Sequence, residues 1–401
     1  MKTHLNISLI ILILLASACF DEQDITQVQA ESFIKYYNTY PLFAAADVKQ
    51  NGEGYALLGT VENSVGATQI CLVRTDEYGN SIDSARYYGK EFNAKAYCLQ
   101  VLSDGGLAIL GSAKNPSTDK YQVYFIRTNE IGDTLWTRRI SSAGSVEAKH
   151  FEVDGLGNFI MTGYAEKSST VSEKQVWIGA LDQFGNKPFW SPKMYGAEKD
   201  DEGRHLQILD DGSFVITGIT KNDPSDPLYS HAFIMKANST GGAPGIFYLP
   251  ATADEEGNCI RVLDDENFLI LGTVKSSTSA TAADIMLKQV SLVDYVLTLQ
   301  WAETYGDVGN DSGQSLITEG NSIYMLGTIA TAGGINTAIS IITTDHTGNN
   351  PKYSNFGMGS QLSGSTFEKT SDNGFIITGT NKHSDNSWSA TLIKIRSNGS
   401  L

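Results

Sequence analysis

One short stretch, Asp104-Gly105-Gly106-Leu107-Ala108-Ile109-Leu110-Gly111, constrains this chain more than any other feature. It is a turn pair, an apolar run and a closing glycine. Its relatives end at Gly59, Gly111, Gly163, Gly218, Gly272, Gly327 and Gly379, with gaps of 52, 52, 55, 54, 55 and 52 residues. A period of this size marks a repeat architecture, in which each unit buries its apolar face only against its neighbours. Length alone, 401 residues, would suggest two or three domains. Seven such units can instead form one closed body.

Each unit offers four strand-length apolar segments. In the second unit they are Ala96 to Val101, Leu107 to Leu110, Tyr121 to Arg127 and Thr134 to Ile140, each bounded by turn residues. The second segments are the informative ones. Phe159-Ile160-Met161, Phe214-Val215-Ile216, Phe268-Leu269-Ile270-Leu271 and Phe375-Ile376-Ile377 are continuously apolar and do not alternate. A strand of that kind is buried on both faces. In an antiparallel sheet this requires a neighbouring sheet on each side, which blades packed radially around an axis provide. The closing glycine suits a bend or a close backbone approach.

The turn between third and fourth strands recurs as Asp76-Glu77-Tyr78-Gly79-Asn80, Asp182-Gln183-Phe184-Gly185-Asn186 and Asp345-His346-Thr347-Gly348-Asn349. The fifth unit lacks it, having Ser291-Leu292-Val293-Asp294, so its hairpin is expected to differ. The seventh unit stops at the turn, without a fourth strand. Residues 32–38, including Ser32-Phe33-Ile34-Lys35-Tyr36-Tyr37, read like the fourth strands Thr134 to Ile140 and Pro188 to Tyr195. The N-terminal strand can therefore complete the last sheet and close the ring, leaving no open edge. The expected fold is all-β: a seven-bladed β-propeller of four-stranded antiparallel blades over residues 31–401, with a period of about 53.

The Asp-Gly-Gly-Phe-Ile-Ile-x-Gly pattern followed by Asp-x-x-Gly-Asn resembles the seven-bladed propellers of Bacteroidetes-type exported proteins, and the resemblance covers all seven units. The segment Asp182 to Trp190 also looks like a quinoprotein-type blade motif. Other units keep that pattern poorly, so no quinone cofactor is inferred.

Ahead of the repeat, Met1-Lys2-Thr3-His4 is a basic start, Leu5 to Leu15 an apolar run, and Ala16-Ser17-Ala18 a small-residue close before Cys19. This is a secretory signal over residues 1–18, with an apolar run too short for a confident membrane span. Its end resembles a bacterial lipobox, with Ala16 where Leu is usual. That resemblance implies a lipidated Cys19 that anchors the chain to a membrane; ordinary cleavage after Ala18 is the alternative. Phe20-Asp21-Glu22-Gln23-Asp24 resembles the surface-export signal of Bacteroidetes-type lipoproteins, within an acidic tether over residues 19–30. The implied location is the outer membrane, facing the exterior.

Lys plus Arg number 29 against 45 Asp plus Glu, a net charge of −16. Nucleic acid is excluded as a partner, because phosphate binding needs a basic face. No His-Glu-x-x-His, Cys-x-x-Cys, phosphate loop or Gly-x-Ser-x-Gly elbow is present. Paired carboxylates carry no short signature, so a polysaccharide-acting enzyme, glycosidase or lyase, stays open.

Aligning the units on their closing glycines puts Glu147, Glu202, Glu256 and Asp311 just before successive inner strands, with Asp200, Asp201, Asp254, Glu255 and Asp307 nearby. These are expected to form an arc of negative charge at one channel mouth. They could hold a cation such as Ca²⁺, or form a solvated rim that caps strand ends. Two positions further in stand Cys98, His150, His205 and Cys259. They are read as core fillers pointing into successive interfaces rather than at one point. Cys71, Cys98 and Cys259 are expected to be free buried thiols.

The longest loops on the same rim are Gly163 to Gln175 and Thr220 to His231, the latter carrying Tyr229. Tyr121, Tyr229 and Trp388 are aromatic candidates for stacking on a sugar or anchoring a partner. The expected function is a lipid-anchored envelope binding module for a protein or glycan partner, serving as an accessory to an outer-membrane nutrient or glycan uptake complex.

Overall fold

Phe159, Phe214, Phe268 and Phe375, which open the second strands, are buried in a computed structural model of the chain. The structure describes residues 32–38, 42–63, 66–186, 190–243, 245–275, 282–306, 309–331 and 336–401. The proposed signal, tether and Cys19 lie outside them. Twenty-eight strands and no helix form the described residues. In the second unit the strands are Lys95–Val101, Leu107–Lys114, Tyr121–Thr128 and Thr134–Ile140. The second strand outruns its apolar core by one turn of the pleat, since Ser112 and Ala113 are also buried.

Units two to five each form a separate four-stranded sheet, and all ladders inside a unit are antiparallel. The other strands belong to one twelve-stranded mixed sheet, which departs from the expectation of separate blades. Its antiparallel parts are joined by single parallel pairs, Thr337 with Gln361 and Leu42 with Trp388. In both cases the start of a third strand touches the start of an adjoining first strand. Phe33–Tyr37 pairs antiparallel with Trp388–Ile395 over five residues, supplying the last unit with the strand its own sequence lacks.

Among the described residues the apolar core is divided into seven clusters. Each draws side chains from two consecutive units, as Leu110, Phe125 and Val146 do with Phe159 and Met161. One cluster brings Ile376, Ala390 and Leu392 of the last unit against Phe43, Leu57 and Cys71 of the first. This explains the non-alternating second strands: both of their faces meet a neighbouring sheet.

The recurring Asp-x-x-Gly-Asn turn is built by its Asp. Asp182 Oδ1 accepts the N–H groups of Phe184 and Asn186, at 2.9 and 2.7 Å, a side-chain mimic of a backbone turn. Gly185 supplies the required φ of +77°. The fifth unit differs as expected. Its strands Ala283–Val293 and Val296–Tyr305 run to a two-residue turn, with Asp294 and Tyr295 at φ +48° and +63°. Positive φ at both centres is the hairpin geometry that matches strand twist.

Candidate functional site

The first strand of every unit carries a β-bulge at one equivalent place. Pairing slips between Ala45 and Asp47, Ala96 and Cys98, Ala148 and His150, and Gly203 and His205. It does so again between Gly257 and Cys259, Gly313 and Ser315, and Gly364 and Thr366. The small residue before each bulge faces a closing glycine, as Gly257 faces Gly272. A Cβ on Gly272 would lie 1.7 Å from the Glu256 carbonyl oxygen, and one on Gly218 would lie 1.9 Å from that of Glu202. Close backbone approach thus requires the closing glycines, except Gly327, where a Cβ would meet Ile285 Cδ1 at 2.4 Å.

The bulge re-aims the side chains that follow it. Residues from all seven first strands line one cavity of about 330 Å³, among them Asp47, Cys98, His150, His205, Arg261 and Glu368. This corrects the expectation that Cys98, His150 and His205 diverge. The His150 and His205 rings stack with centroids 3.9 Å apart. Burial holds the His150 imidazole down to about 3, and burial reinforced by His150 holds His205 well below its usual range, so both are neutral.

A first strand is a sheet edge, and its outward N–H groups need partners. Side chains of the neighbouring first strands, most of them lining the cavity, supply them across unit boundaries. Asp47 Oδ2 accepts Leu99 N–H at 2.8 Å, and Glu152 Oε2 accepts Ile208 N–H at 2.9 Å. Gln207 Oε1 accepts Val262 N–H at 2.8 Å, and Glu368 Oε2 accepts Gln50 N–H at 2.7 Å. Arg261 Nη2 donates to the Leu316 carbonyl at 2.5 Å. Burial pushes Glu152 up to about 6 and also raises Glu368. Much of the polar lining is therefore engaged in joining strands, while the buried His205 Nδ1 and Arg261 Nε have no hydrogen-bond partner among the described residues. Cys71, Cys98 and Cys259 are buried and free.

The rim above this cavity holds the acidic candidates, each matched by its own partner. Glu147 is 5% exposed and accepts the Tyr97 and Tyr164 hydroxyls. Burial would raise its pKa, but Lys149 and the two hydroxyls outweigh that and hold it below the usual range. Glu202 faces Lys174 at 3.5 Å, and Glu256 accepts from Arg204 at 2.6 Å. Asp311 is buried and accepts Ala330 N–H at 2.6 Å. Asp201 accepts the Thr220 hydroxyl at 2.5 Å, and Glu255 pairs with buried Lys288 at 2.6 Å. Glu147, Glu202, Glu256 and Glu255 each face a cation, whereas Asp201 and Asp311 accept a hydroxyl and a backbone N–H. Among the described residues no three His, Cys, Asp or Glu side chains gather as metal ligands would.

Tyr229 is half-buried in a loop ordered by Asp223, whose Oδ1 accepts Ser225 N–H at 2.8 Å. It does not join the other candidates in a common contact. Trp388 is 37% exposed at the head of its strand. Tyr121 takes part in the rim, with Lys95 Nζ 4.8 Å from its ring centre. Sequence reasoning missed Tyr97, Lys149, Tyr164 and Lys174. Lys149 Nζ lies 4.1 Å from the Tyr97 ring centre and 5.4 Å from that of Tyr164, and Lys174 Nζ lies 4.0 Å from the latter. A larger groove of about 890 Å³ lies toward the opposite turns, lined by Leu135, Trp136 and Phe184. Its charged pair, Asp104 and Arg127, is already joined.

No protein-family model and no curated protein sequence matches the chain. Solved structures do. An ulvan lyase from a new family of polysaccharide lyases aligns with a TM-score of 0.56 at 10% identity, over 90% of this chain and 95% of that one. The β-propeller domain of the trilobed protease from Pyrococcus furiosus aligns at 0.51 and 10% identity, over 90% and 96%. The fold is a β-propeller. A Pyrococcus horikoshii acylaminoacyl peptidase aligns at 0.50 and 10% identity over 89% of this chain but 52% of its own, so this propeller spans about half of that enzyme. At such identities the likeness concerns the fold alone.

Proposed function

We propose that this protein is a lipid-anchored binding module of the cell envelope, built on a seven-bladed propeller. The seven bulged strands around one cavity and the seven inter-unit cores support seven four-stranded blades. The three antiparallel parts of the large sheet are then three blades in edge contact, and Phe33–Tyr37 closes the ring. Cys19 is the lipidation site, and the acidic tether directs the body to the outer surface, where it serves an outer-membrane glycan or nutrient uptake complex. One observation carries the binding reading: the cavity's carboxylates Asp47, Glu152 and Glu368 are engaged in joining strands, while the rim around Tyr97, Lys149, Tyr164 and Lys174 keeps ammonium groups with weak partners.

Membrane fractionation of Cys19→Ala against the parent, with protease shaving of intact cells, tests the anchor and the exposed face. The variant is expected in the soluble fraction and the parent in the shaved fraction. A glycan array with the purified chain tests the ligand class. A second reading, a polysaccharide-acting enzyme, is supported by the alignment with the ulvan lyase over almost all of that lyase's length. Chain shortening of a polysaccharide would favour it.

A further inference from the structure

Lys149 is the bulge residue of the third unit, and Tyr97 that of the second. The bulge lifts both out of the ladder onto the rim. Glu147, the nearest carboxylate to Lys149, lies 3.6 Å from its ammonium, and Glu202 lies 3.5 Å from that of Lys174. Both separations exceed an N–H···O hydrogen bond. Glu147 spends its lone pairs on two tyrosine hydroxyls instead. Lys95, at the head of the second unit's first strand, rests over Tyr121. Burial lowers the Lys149 pKa, the carboxylates of Glu147 and Glu202 oppose that, and the positive charges of Lys174 and Lys95 add to it. Half-buried ammonium groups with unmet donors favour an oxyanion that completes their hydrogen bonds.

We infer that Lys95, Lys149 and Lys174, set among Tyr97, Tyr121 and Tyr164, form a binding site for an oxyanion-bearing glycan, with carboxylate or sulfate groups. The inference rests on the rim being a binding surface. The row crosses two units, as repeated anions on one polymer would. Tyrosine faces suit pyranose rings and offer large contact area at low entropic cost.

Affinity electrophoresis of the full chain tests this, in gels cast with polygalacturonate, dextran sulfate or neutral dextran. Retardation is expected from one or both anionic polymers, the responsive one identifying the anion, and none from dextran. Lys149→Met and Lys174→Gln should each weaken apparent affinity about tenfold, the loss of one charge-assisted contact. Lys95→Gln, at a half-exposed position, is the control should Lys149→Met fail to fold. Equal retardation by dextran, or retardation undiminished in Lys174→Gln and Lys95→Gln, would overturn the inference. No retardation by any polymer overturns it as well. Recovery of a protein partner from envelope extract in that case leaves the wider binding reading standing.

Discussion

The imidazole rings of His150 and His205 stack 3.9 Å apart with their planes 24° from parallel. Leu206 N–H donates to His150 Nδ1 at 3.4 Å, so this nitrogen must stay unprotonated. Burial holds the folded pKa of His150 at about 3. In the unfolded chain it is about 6.5. The unfolded state therefore binds more protons between those values, and stability present above about 6.5 is lost as pH falls toward 3. At pH 5 the loss from His150 should be about 2 kcal/mol. Urea midpoints measured from pH 7 to pH 4.5 should fall, and a His150→Gln, His205→Gln double variant should flatten the slope. A double variant whose slope matches the parent's would contradict the neutral stack.

Glu152 works in the opposite direction. Its folded pKa, raised by burial to about 6, lies above its ordinary 4.5. Its ionisation therefore penalises the folded state at high pH, and the penalty vanishes as pH falls below about 4.5. Glu152→Gln keeps an acceptor for Ile208 N–H. It should stabilise the protein by about 1–2 kcal/mol at pH 8 and leave it unchanged at pH 4. Thermal melts at the two pH values check this, and equal shifts at both would count against it.

The pattern of closing glycines is legible in the sequence, because a missing Cβ at a fixed period is visible in the letters. So is the buried second strand, through its failure to alternate. The bulge is not legible. Its residues, Ala46, Tyr97, Lys149, Arg204, Asn258, Gln314 and Ser365, share no chemistry, since the bulge is set by backbone crowding at the Gly–Gly and Ala–Gly pairs. Without it, His150 and His205 read as pointing into separate interfaces. Aligning the units brings out Glu147 and Glu202, but not their cations. Lys149 sits two residues beyond Glu147, across the bulge, and Lys174 comes from a third strand.

Gly272→Ala tests the close approach. The new Cβ meets the Glu256 carbonyl and Gly257 Cα, both main chain. Neither can move without opening the ladder, so a loss of about 2–3 kcal/mol is expected from overpacking. Denaturant unfolding measures it, and a change within about 0.5 kcal/mol would contradict the crowding argument.

Outer strands are tied to the next unit by tyrosine. Tyr37 OH donates to the Gly79 carbonyl at 2.7 Å, and Tyr305 OH to that of Gly348 at 2.7 Å. Tyr37→Phe should cost about 1 kcal/mol or somewhat more, since the hydroxyl's partner is buried. Hydrogen exchange should quicken in residues 33–37 and along Trp388–Ile395. Unchanged exchange there would mean that the N-terminal strand is held by other contacts.

Glu202 and Glu256 already face Lys174 and Arg204. Millimolar Ca²⁺ should therefore leave the melting temperature unchanged, as should a chelator. A rise with Ca²⁺ reversed by chelation would restore the acidic rim as a cation site.

The central claim is that the rim binds an anionic polymer without cleaving it. Titration calorimetry of the full chain with polygalacturonate and with dextran sulfate tests this most directly. The account predicts discrete heats from at least one polymer that return to baseline and saturate, and that vanish in a Lys149→Met, Lys174→Gln variant. Heat flow that persists after each injection, the signature of turnover, or saturating heats that survive in the variant would contradict it.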